Sequence, residues 1–388
     1  MRIFVLGAGA TGSLLAQLLE RQGHTVRCGD RDPQRARRFL GNNSQLEVLK
    51  VNARNLRGVV RAARRSQLII NATASVFNEI VMRAALRLRA HYLDLSSHLR
   101  RHPFKAEQFR YARKFEKKKR SAVINAGAAP GLTNLLVRRA ADALDRVEVV
   151  HIRLYESTES EDPISQWSPE VSFDEAVSHP RIFRGGKFVF AKRFSEAETF
   201  RFAKPIGAAR VLLAAQDEVA TLPHFIAMQE LDVKIGGNEI ERLRRWQRQG
   251  KLNRSRGMAR QRFPQTPTPR MVAKLIRKGA LQNARFAAAI LVSGEKKEQR
   301  LLLRTDCAFP TLYQIRRQGL FTTPVAFVTA HVASLFVKFF PRELPGVFAP
   351  ETLPVKIRRA ILSGLRSDRV SLTTKTTLLR RRDDEEEF

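Results

Sequence analysis

The sequence predicts an α/β protein: a parallel sheet with helices on both faces, followed by an α+β domain. Two observations predict this architecture. Short apolar runs alternate with helical stretches up to about residue 131, which is the rhythm of a parallel sheet. After residue 132 longer strands of alternating polarity take over. A chain of 388 residues also has room for about two domains.

The first element is a strand that runs directly into a glycine-rich turn. Four apolar residues, 3–6, precede Gly7-Ala8-Gly9-Ala10-Thr11-Gly12, a helical stretch follows at 13–20, and a second strand follows at 25–28. In this setting the glycines allow a tight turn, close approach of a pyrophosphate and close helix–strand packing. The pattern predicts a Rossmann domain that binds a dinucleotide; the plainer alternative is a strand–helix–strand turn with no cofactor.

The end of the second strand carries the residues that would choose the cofactor. Asp30 lies where a carboxylate can accept hydrogen bonds from the adenosine ribose, which favours NAD. Arg31 and Arg35 could instead hold a 2′-phosphate, which favours NADP. Asp30 could also act only as a helix cap before Asp32 and Pro33. NAD is expected, with NADP left open.

Three further strands are predicted at 67–71, 91–95 and 122–125, with a helical basic segment at 97–119 between the last two. Since the carboxyl ends of parallel strands meet at one edge of the sheet, the residues that follow them should lie beside the glycine turn. The expected cofactor-binding residues at this edge are Asn71, Ala72, Thr73, Asn125 and Gly127. For Asn71 and Thr73 an ordinary strand-end turn is an equal alternative.

Charge and cysteine content limit the classes of partner. The chain has 70 Lys and Arg against 37 Asp and Glu, a net charge of +33. Such a charge attracts polyanions, so nonspecific contact with nucleic acid or an anionic surface is expected to be secondary. Phe and Tyr do not interleave with the basic clusters as stacking platforms would. The two cysteines form no C-x-x-C pair, so no metal site is predicted.

The predicted compartment is the cytoplasm. A strand that begins at residue 2 leaves no room for a signal peptide. The apolar stretch at 325–340 is shorter than the roughly 20 residues of a spanning helix and carries His331 and Lys338, so a core helix is expected there instead.

Several motifs together resemble the saccharopine dehydrogenase-like oxidoreductases. Besides the glycine turn, these are Asn71-Ala-Thr with Asn78, His91-Tyr-Leu-Asp94-Leu, Gly127-Ala-Ala-Pro130-Gly131-Leu-Thr-Asn134 and Gly346-Val-Phe-Ala-Pro-Glu351. The resemblance covers the chain to about residue 379. Saccharopine reductases carry Asp just before the Pro-Gly pair, whereas this chain has Ala129, which is closer to the lysine 6-dehydrogenase branch.

The resemblance implies a particular domain plan. A Rossmann domain at 1–131 would be followed by a mixed-sheet substrate and dimerisation domain at 132–322. A segment at 323–380 would return to complete the Rossmann domain, and an acidic tail would occupy 381–388. A homodimer is implied as well.

The resemblance also implies hydride transfer between a nicotinamide cofactor and a C–N bond of an amino acid or related amine. Asp94 and His98 are the candidate catalytic residues, one of which would take a proton from the substrate amine. Asp94 could equally be a loop hydrogen-bonder, and His98 a solvent-exposed residue. The expected substrate-binding residues are Pro130, Gly131, Asn134 and Trp167. The alternatives are a catalytically silent NAD(P)-binding protein and a nucleic-acid or anionic-surface binder.

Overall fold

The computed structural model describes residues 1–41, 44–252, 263–368 and 370–379. The predicted acidic tail at 381–388 lies outside the described residues. The strands are β1 (Arg2–Leu6), β2 (Thr25–Asp30), β3 (Glu47–Lys50), β4 (Leu68–Asn71), β5 (His91–Asp94), β6 (Ser121–Val123), β7 (Arg146–Ser160), β8 (Arg181–Arg184), β9 (Lys187–Phe190), β10 (Glu198–Arg201), β11 (Ala208–Leu213), β12 (Glu230–Gly236), β13 (Leu281–Lys296), β14 (Gln299–Ala308), β15 (Gly346–Phe348) and β16 (Ser371–Leu378).

The α-helices are α1 (Ala10–Arg21), α2 (Pro33–Leu40), α3 (Leu56–Ala62), α4 (Asn78–Leu88), α5 (Ala112–Lys117), α6 (Leu132–Ala141), α7 (Pro169–Val177), α8 (Leu222–Phe225), α9 (Asn238–Arg248), α10 (Pro269–Arg277), α11 (Leu312–Arg316), α12 (Pro324–Lys338) and α13 (Val355–Gly364). Short 3₁₀ helices at Ser75–Phe77 and Glu107–Tyr111 lead into α4 and α5.

The first sheet is wholly parallel, in the order β15-β6-β5-β4-β1-β2-β3. Its central strands, β1, β4, β5 and β6, are almost wholly buried because helices cover both faces of the sheet, which explains their apolar runs. The strand order reverses between β1 and β4. In parallel sheets of this kind, ligands bind in the crevice that opens at such a reversal, beyond the carboxyl ends of the strands. The glycine turn after β1 opens there.

The second sheet is mixed, in the order β10-β11-β12-β7-β13-β14-β16, with the β8–β9 hairpin attached to β12. β12 and β7 run parallel, whereas β7, β13 and β14 pair antiparallel along most of their length. The predicted fold class, a Rossmann domain with a second mixed-sheet domain, is confirmed.

The end of the chain divides between the two sheets. The helix α12 packs against α1, and β15 adds a parallel strand to the first sheet beside β6. β16, however, pairs with β14 of the second sheet from Ser371 to Leu378. The expectation that all of 323–380 completes the Rossmann domain is therefore wrong for this last strand. Thr374 helps to hold β16 beside β14, because its hydroxyl and that of Thr305 on β14 both accept a hydrogen bond from the guanidinium group of Arg139.

The apolar stretch predicted to be a core helix is α12, of 15 residues, and 12 of them are buried. No helix within the described ranges is long and apolar enough to cross a membrane.

Candidate active site

The glycine turn has the geometry that a bound pyrophosphate requires. Gly7 has a φ of +96°, and a Cβ on Gly12 would lie 1.9 Å from the carbonyl oxygen of Gly7, so no side chain fits between the turn and α1. A Cβ on Gly9, by contrast, would meet no atom within 4 Å. The backbone at Gly9, Ala10 and Thr11 is therefore accessible at the N-terminus of α1, where free N–H groups and the helix dipole attract phosphate.

Asp30 is held in place at the neighbouring strand end. Its Oδ2 accepts the N–H of Ala8 at 2.9 Å, and its Oδ1 accepts the N–H of Asp32 at 2.9 Å. Its carboxylate thus faces the glycine turn in a fixed orientation. Arg31 and Arg35 are exposed.

The turn after β4 adjoins the glycine turn. A Cβ on Gly7 would lie 2.7 Å from the carbonyl oxygen of Ala72. The side chain of Asn71 is buried: its Oδ1 accepts from the hydroxyl of Thr73 at 2.6 Å, and its amide donates to Asn78 Oδ1 at 2.7 Å. Asn71 therefore builds the turn, while Ala72 and Thr73 are the partly exposed members that a ligand could reach.

Asp94 is completely buried at the end of β5. Its carboxylate accepts from Tyr92 Oη at 2.9 Å, Gln108 Nε2 at 3.0 Å and the N–H of Asn125 at 2.9 Å. Burial raises the pKa of Asp94 to about 7, although these three donors act in the opposite direction. These contacts give Asp94 a positioning function between strands, and its predicted proton transfer stays a prediction.

His98 lies in a loop rather than on the predicted helix. The stretch 97–119 was expected to be helical, but regular helix begins only at Glu107. Hydrogen bonds outside the loop account for this: the N–H of Ser97 donates to Asp217 and that of His98 to the side chain of Gln108. The imidazole of His98 points towards Glu107, with 3.8 Å between Nδ1 and Oε2. Its catalytic role also stays a prediction.

The segment after β6 closes the edge of the sheet. Asn125 has a φ of +56°, and its Oδ1 accepts from Ser97 Oγ at 3.0 Å. Its buried Nδ2 has no hydrogen-bond partner among the described residues. Gly127 and Gly131 approach so closely that a Cβ on Gly131 would lie 2.0 Å from the carbonyl oxygen of Gly127. Pro130, which follows a cis peptide bond, is buried inside this loop.

Asn134 lies at a joint between the domains and not at an open surface. It is fully buried, and its Nδ2 donates to Thr221 Oγ1 at 3.0 Å and to Glu351 Oε2 at 3.1 Å. Next to it, Thr133 donates to Glu218 Oε1 at 2.8 Å. Its predicted contact with substrate remains a prediction.

Trp167 lines a cavity of the second domain, whose wall carries carboxylates and guanidinium groups. The charged lining residues are Glu156, Glu175, Arg193, Glu239 and Arg242. Burial is the main cause that raises the pKa of Glu156 to about 8 and that of Glu239 to about 7.

Two acidic residues that were not identified from the sequence connect this cavity to the nucleotide edge, since Glu175 lines the cavity and Asp217 lies beside Ser97. Asp217 Oδ2 accepts the N–H of Ser97 at 2.9 Å, just beyond the carboxyl end of β5. Glu175, from α7, interacts electrostatically with Asp217, and Arg181 interacts with both. Asp217 and Glu175 are both partly accessible. The available signal was Gln216-Asp217-Glu218, a polar group directly after the apolar end of β11.

Burial dominates the ionisation of this pair. It raises the pKa of Asp217, against the effect of Arg181 and of the N–H of Ser97. The pKa of Glu175 is raised well above its ordinary value by burial first and then by Asp217 and Glu156. Carboxylates with raised pKa values in a cleft are typical of proton-transfer sites.

A family model described as the saccharopine dehydrogenase NADP-binding domain matches residues 3–126. These residues are similar to that domain. The family resemblance of the motifs is thereby confirmed. The family match and the geometry of the glycine turn, together with the neighbouring strand ends of the first sheet, support a nicotinamide dinucleotide as cofactor.

A solved structure extends the likeness in fold to nearly the whole chain. Apo saccharopine dehydrogenase (L-Glu forming) from Saccharomyces cerevisiae has a TM-score of 0.71 at 12% identity, covering 97% of this chain and 99% of that one. This chain therefore has a saccharopine dehydrogenase-like fold. The C. glutamicum DAP dehydrogenase in complex with DAP has a TM-score of 0.43 at 10% identity, covering 92% of this chain and 95% of that one.

One curated relative matches over a short stretch. The Trk system potassium uptake protein TrkA of Streptomyces coelicolor is 58% identical over 39 residues. The match spans 10% of this chain and 18% of that protein.

Proposed function

We propose that this protein is an NAD(P)-dependent oxidoreductase that transfers hydride to or from a C–N bond of an amino acid or related amine. The observation that carries the proposal is the pair Asp217 and Glu175. In a chain of net charge +33, Asp217 lies beside Ser97 at the nucleotide edge, Glu175 interacts with it electrostatically, and Arg181 is the opposing charge. Such a pair suits a cationic nitrogen.

The residues of the first domain fit the cofactor. The open backbone above Gly9 and the N-terminus of α1 would hold the pyrophosphate, and Asp30 the adenosine ribose. We expect NAD to be preferred, because the fixed carboxylate of Asp30 would repel a 2′-phosphate. When bound, the nicotinamide ring supplies the acceptor or donor of the hydride.

Asp217 is our candidate for the proton acceptor. An amine must be neutral before its carbon can release hydride, and a carboxylate whose pKa is raised accepts a proton from an ammonium group more readily. The hydrogen bond from Ser97 fixes the orientation of Asp217 relative to the end of β5. Glu175 would accept a hydrogen bond from the substrate nitrogen before that transfer.

The mixed charge of the neighbouring cavity suits the rest of an amino acid. Glu156 and Glu239 could bind a second amine, and Arg242 could bind a carboxylate, since its buried Nε has no hydrogen-bond partner within the described part of the chain. The indole of Trp167 would pack on the apolar part. These groups favour a zwitterionic substrate over a neutral alcohol or sugar.

A fluorescence assay tests the proposal. The purified full-length protein is loaded with NAD and with NADP and is screened with lysine, saccharopine, polyamines and other amino acids, with 2-hydroxy acids as a matched class lacking nitrogen. We expect reduced-cofactor fluorescence to increase with at least one amine and with no hydroxy acid. Tight cofactor binding without turnover of any amine would instead indicate a catalytically silent protein.

A further inference from the structure

A second cluster of charged groups lies outside the proposed catalytic cleft. It consists of Glu79 in the first turn of α4, His98 in the loop after β5, and Glu107 at the start of the 3₁₀ helix before α5. One nitrogen of His98 and one carboxylate oxygen from each glutamate lie within 4.8 Å of one another. Three separate segments of chain thus bring ligand atoms to one point.

The cluster is buried. The side chain of Glu107 is 1% exposed, that of His98 13% and that of Glu79 17%. Four of its polar atoms have no hydrogen-bond partner in the ranges that the structure describes: Glu79 Oε1, Glu107 Oε2 and both ring nitrogens of His98. Buried polar atoms without partners are rare and costly, so each needs an explanation.

The other oxygen of each carboxylate is already occupied. Glu79 Oε2 pairs with Arg110 Nη2 at 2.6 Å, and Glu107 Oε1 accepts the N–H of Arg101 at 2.5 Å. These contacts aim Glu79 Oε1 and Glu107 Oε2 at the imidazole and at each other. Two carboxylate oxygens that face one another repel unless a shared proton or a cation lies between them.

We propose that Glu79, His98 and Glu107 bind a divalent transition-metal cation of the Zn²⁺ type. Zn²⁺ takes imidazole nitrogen and carboxylate oxygen as ligands, and three protein ligands leave a fourth position for water. The imidazole favours Zn²⁺, Co²⁺ or Ni²⁺ over Mg²⁺ and Ca²⁺, which prefer oxygen ligands only. No metal site was predicted from the cysteines, and Glu79, His98 and Glu107 are 9 or more residues apart, so they form no compact motif in the sequence.

The cation would fasten the loop after β5 to α4. Residues next to the ligands already touch the cofactor edge: Asn78 donates to the carbonyl of Ser96 at 2.8 Å, and Gln108 donates to Asp94 and to that same carbonyl. A bound ion would thereby stiffen the wall of the cleft that carries Ser97. In this proposal His98 is a metal ligand and not a proton acceptor.

Metal binding to the full-length protein tests the site. Protein stripped with a chelator is titrated with Co²⁺ while its visible absorption is followed, and with Zn²⁺ in a calorimeter. We expect one ion per chain and a Co²⁺ spectrum of low coordination number. His98→Gln and Glu107→Gln should each weaken binding by at least about 100-fold, since even partners of metal ligands are worth 10–100-fold.

Matched variants keep the test specific. His102→Gln and Glu116→Gln remove exposed groups of the same types nearby and should bind the ion as the native chain does. Thermal unfolding of each variant checks its fold, and Glu79→Gln offers a less buried alternative if Glu107→Gln is unstable. Absence of one-to-one binding, or equal binding by His98→Gln and the native chain, would overturn the proposal. Neither result depends on turnover of an amine.

Discussion

At the scale of single residues, cofactor choice rests on Asp30. Replacement by Ser removes the carboxylate but keeps a small polar side chain. We expect NADH to bind about 10- to 100-fold more weakly, because hydrogen bonds to a charged group contribute about that much to affinity. The preference for NADH over NADPH should also become smaller. Titration of cofactor fluorescence measures both. Asp32→Asn is the control, because Asn keeps the cap of α2. Unchanged NADH affinity in Asp30→Ser would remove this residue from the cofactor site.

Asp217 carries the proposed proton transfer. Asp217→Asn can still accept the N–H of Ser97, so the fold should be retained. We expect turnover to fall about 10²- to 10⁴-fold, the usual contribution of a placed base, with cofactor affinity unchanged. In the native protein kcat/KM should rise with pH as Asp217 loses its proton, and this limb should vanish in the variant. The exposed Asp162→Asn is the control; an unaltered pH profile in Asp217→Asn would contradict the assignment.

Local patterns predicted the residues of the glycine turn well, but not those of the cleft. Gly7, Gly9 and Gly12 lie within one strand–helix unit, so their spacing defines their function. Asp217 reaches Ser97 from 120 positions along the chain, and no local pattern encodes that contact. Asp94 was identified from its place at a strand end, but its burial depends on Tyr92, Gln108 and Asn125, which only the folded chain brings together.

At the scale of elements, Gly9 and Gly131 differ in what they tolerate. Gly9→Ala meets open space at a φ of −81°, so we expect a normal unfolding midpoint but cofactor binding at least about tenfold weaker, because the methyl group occupies the pyrophosphate site. Gly131→Ala at a φ of +132° collides with Gly127, so we expect loss of several kcal/mol. Calorimetry and cofactor titration measure both. Normal NADH binding by Gly9→Ala would contradict the proposed position of the pyrophosphate.

Helices and strands were predicted best where the spacing of apolar residues in the sequence matches their burial in the structure. β1, β4 and β5 are short apolar runs closed by polar residues, and the structure retains them within a residue or two. Of the helix predicted at 97–119, only residues 107–117 are helical, because the N–H groups of Ser97 and His98 donate to the side chains of Asp217 and Gln108. β16 was placed in the wrong sheet since its alternating Thr residues suit either edge, and only pairing with β14 decides between them.

At the scale of the whole molecule, buried acids should make stability depend on pH. Burial raises the pKa values of Glu218 and Glu351 from 4.5 to about 7. Between pH 4.5 and about pH 7, these two groups therefore bind more protons in the folded state than in the unfolded state. Their contribution to stability is therefore complete below pH 4.5 and is lost as the pH rises through 7, at about 1.4 kcal/mol per pH unit per group.

Denaturant unfolding between pH 5 and pH 8 measures this dependence. Glu351→Gln resembles the protonated acid at every pH, so its free energy of unfolding should fall less steeply over that interval than that of the native chain. Glu47→Gln, at an exposed position, should follow the native slope. A native stability that rises with pH over this range would refute the sign of the effect.

The homodimer implied by the resemblance stays a prediction, as does any contact with nucleic acid. In the proposed function, the two domains act together on a C–N bond of the substrate. The most direct measurement is product stoichiometry with the best amine found in the screen: reduced cofactor by absorbance, and released ammonium or amine by a coupled assay. We predict one nitrogen product per reduced cofactor, and loss of both in Asp217→Asn. Reduced cofactor without any nitrogen product would contradict the account.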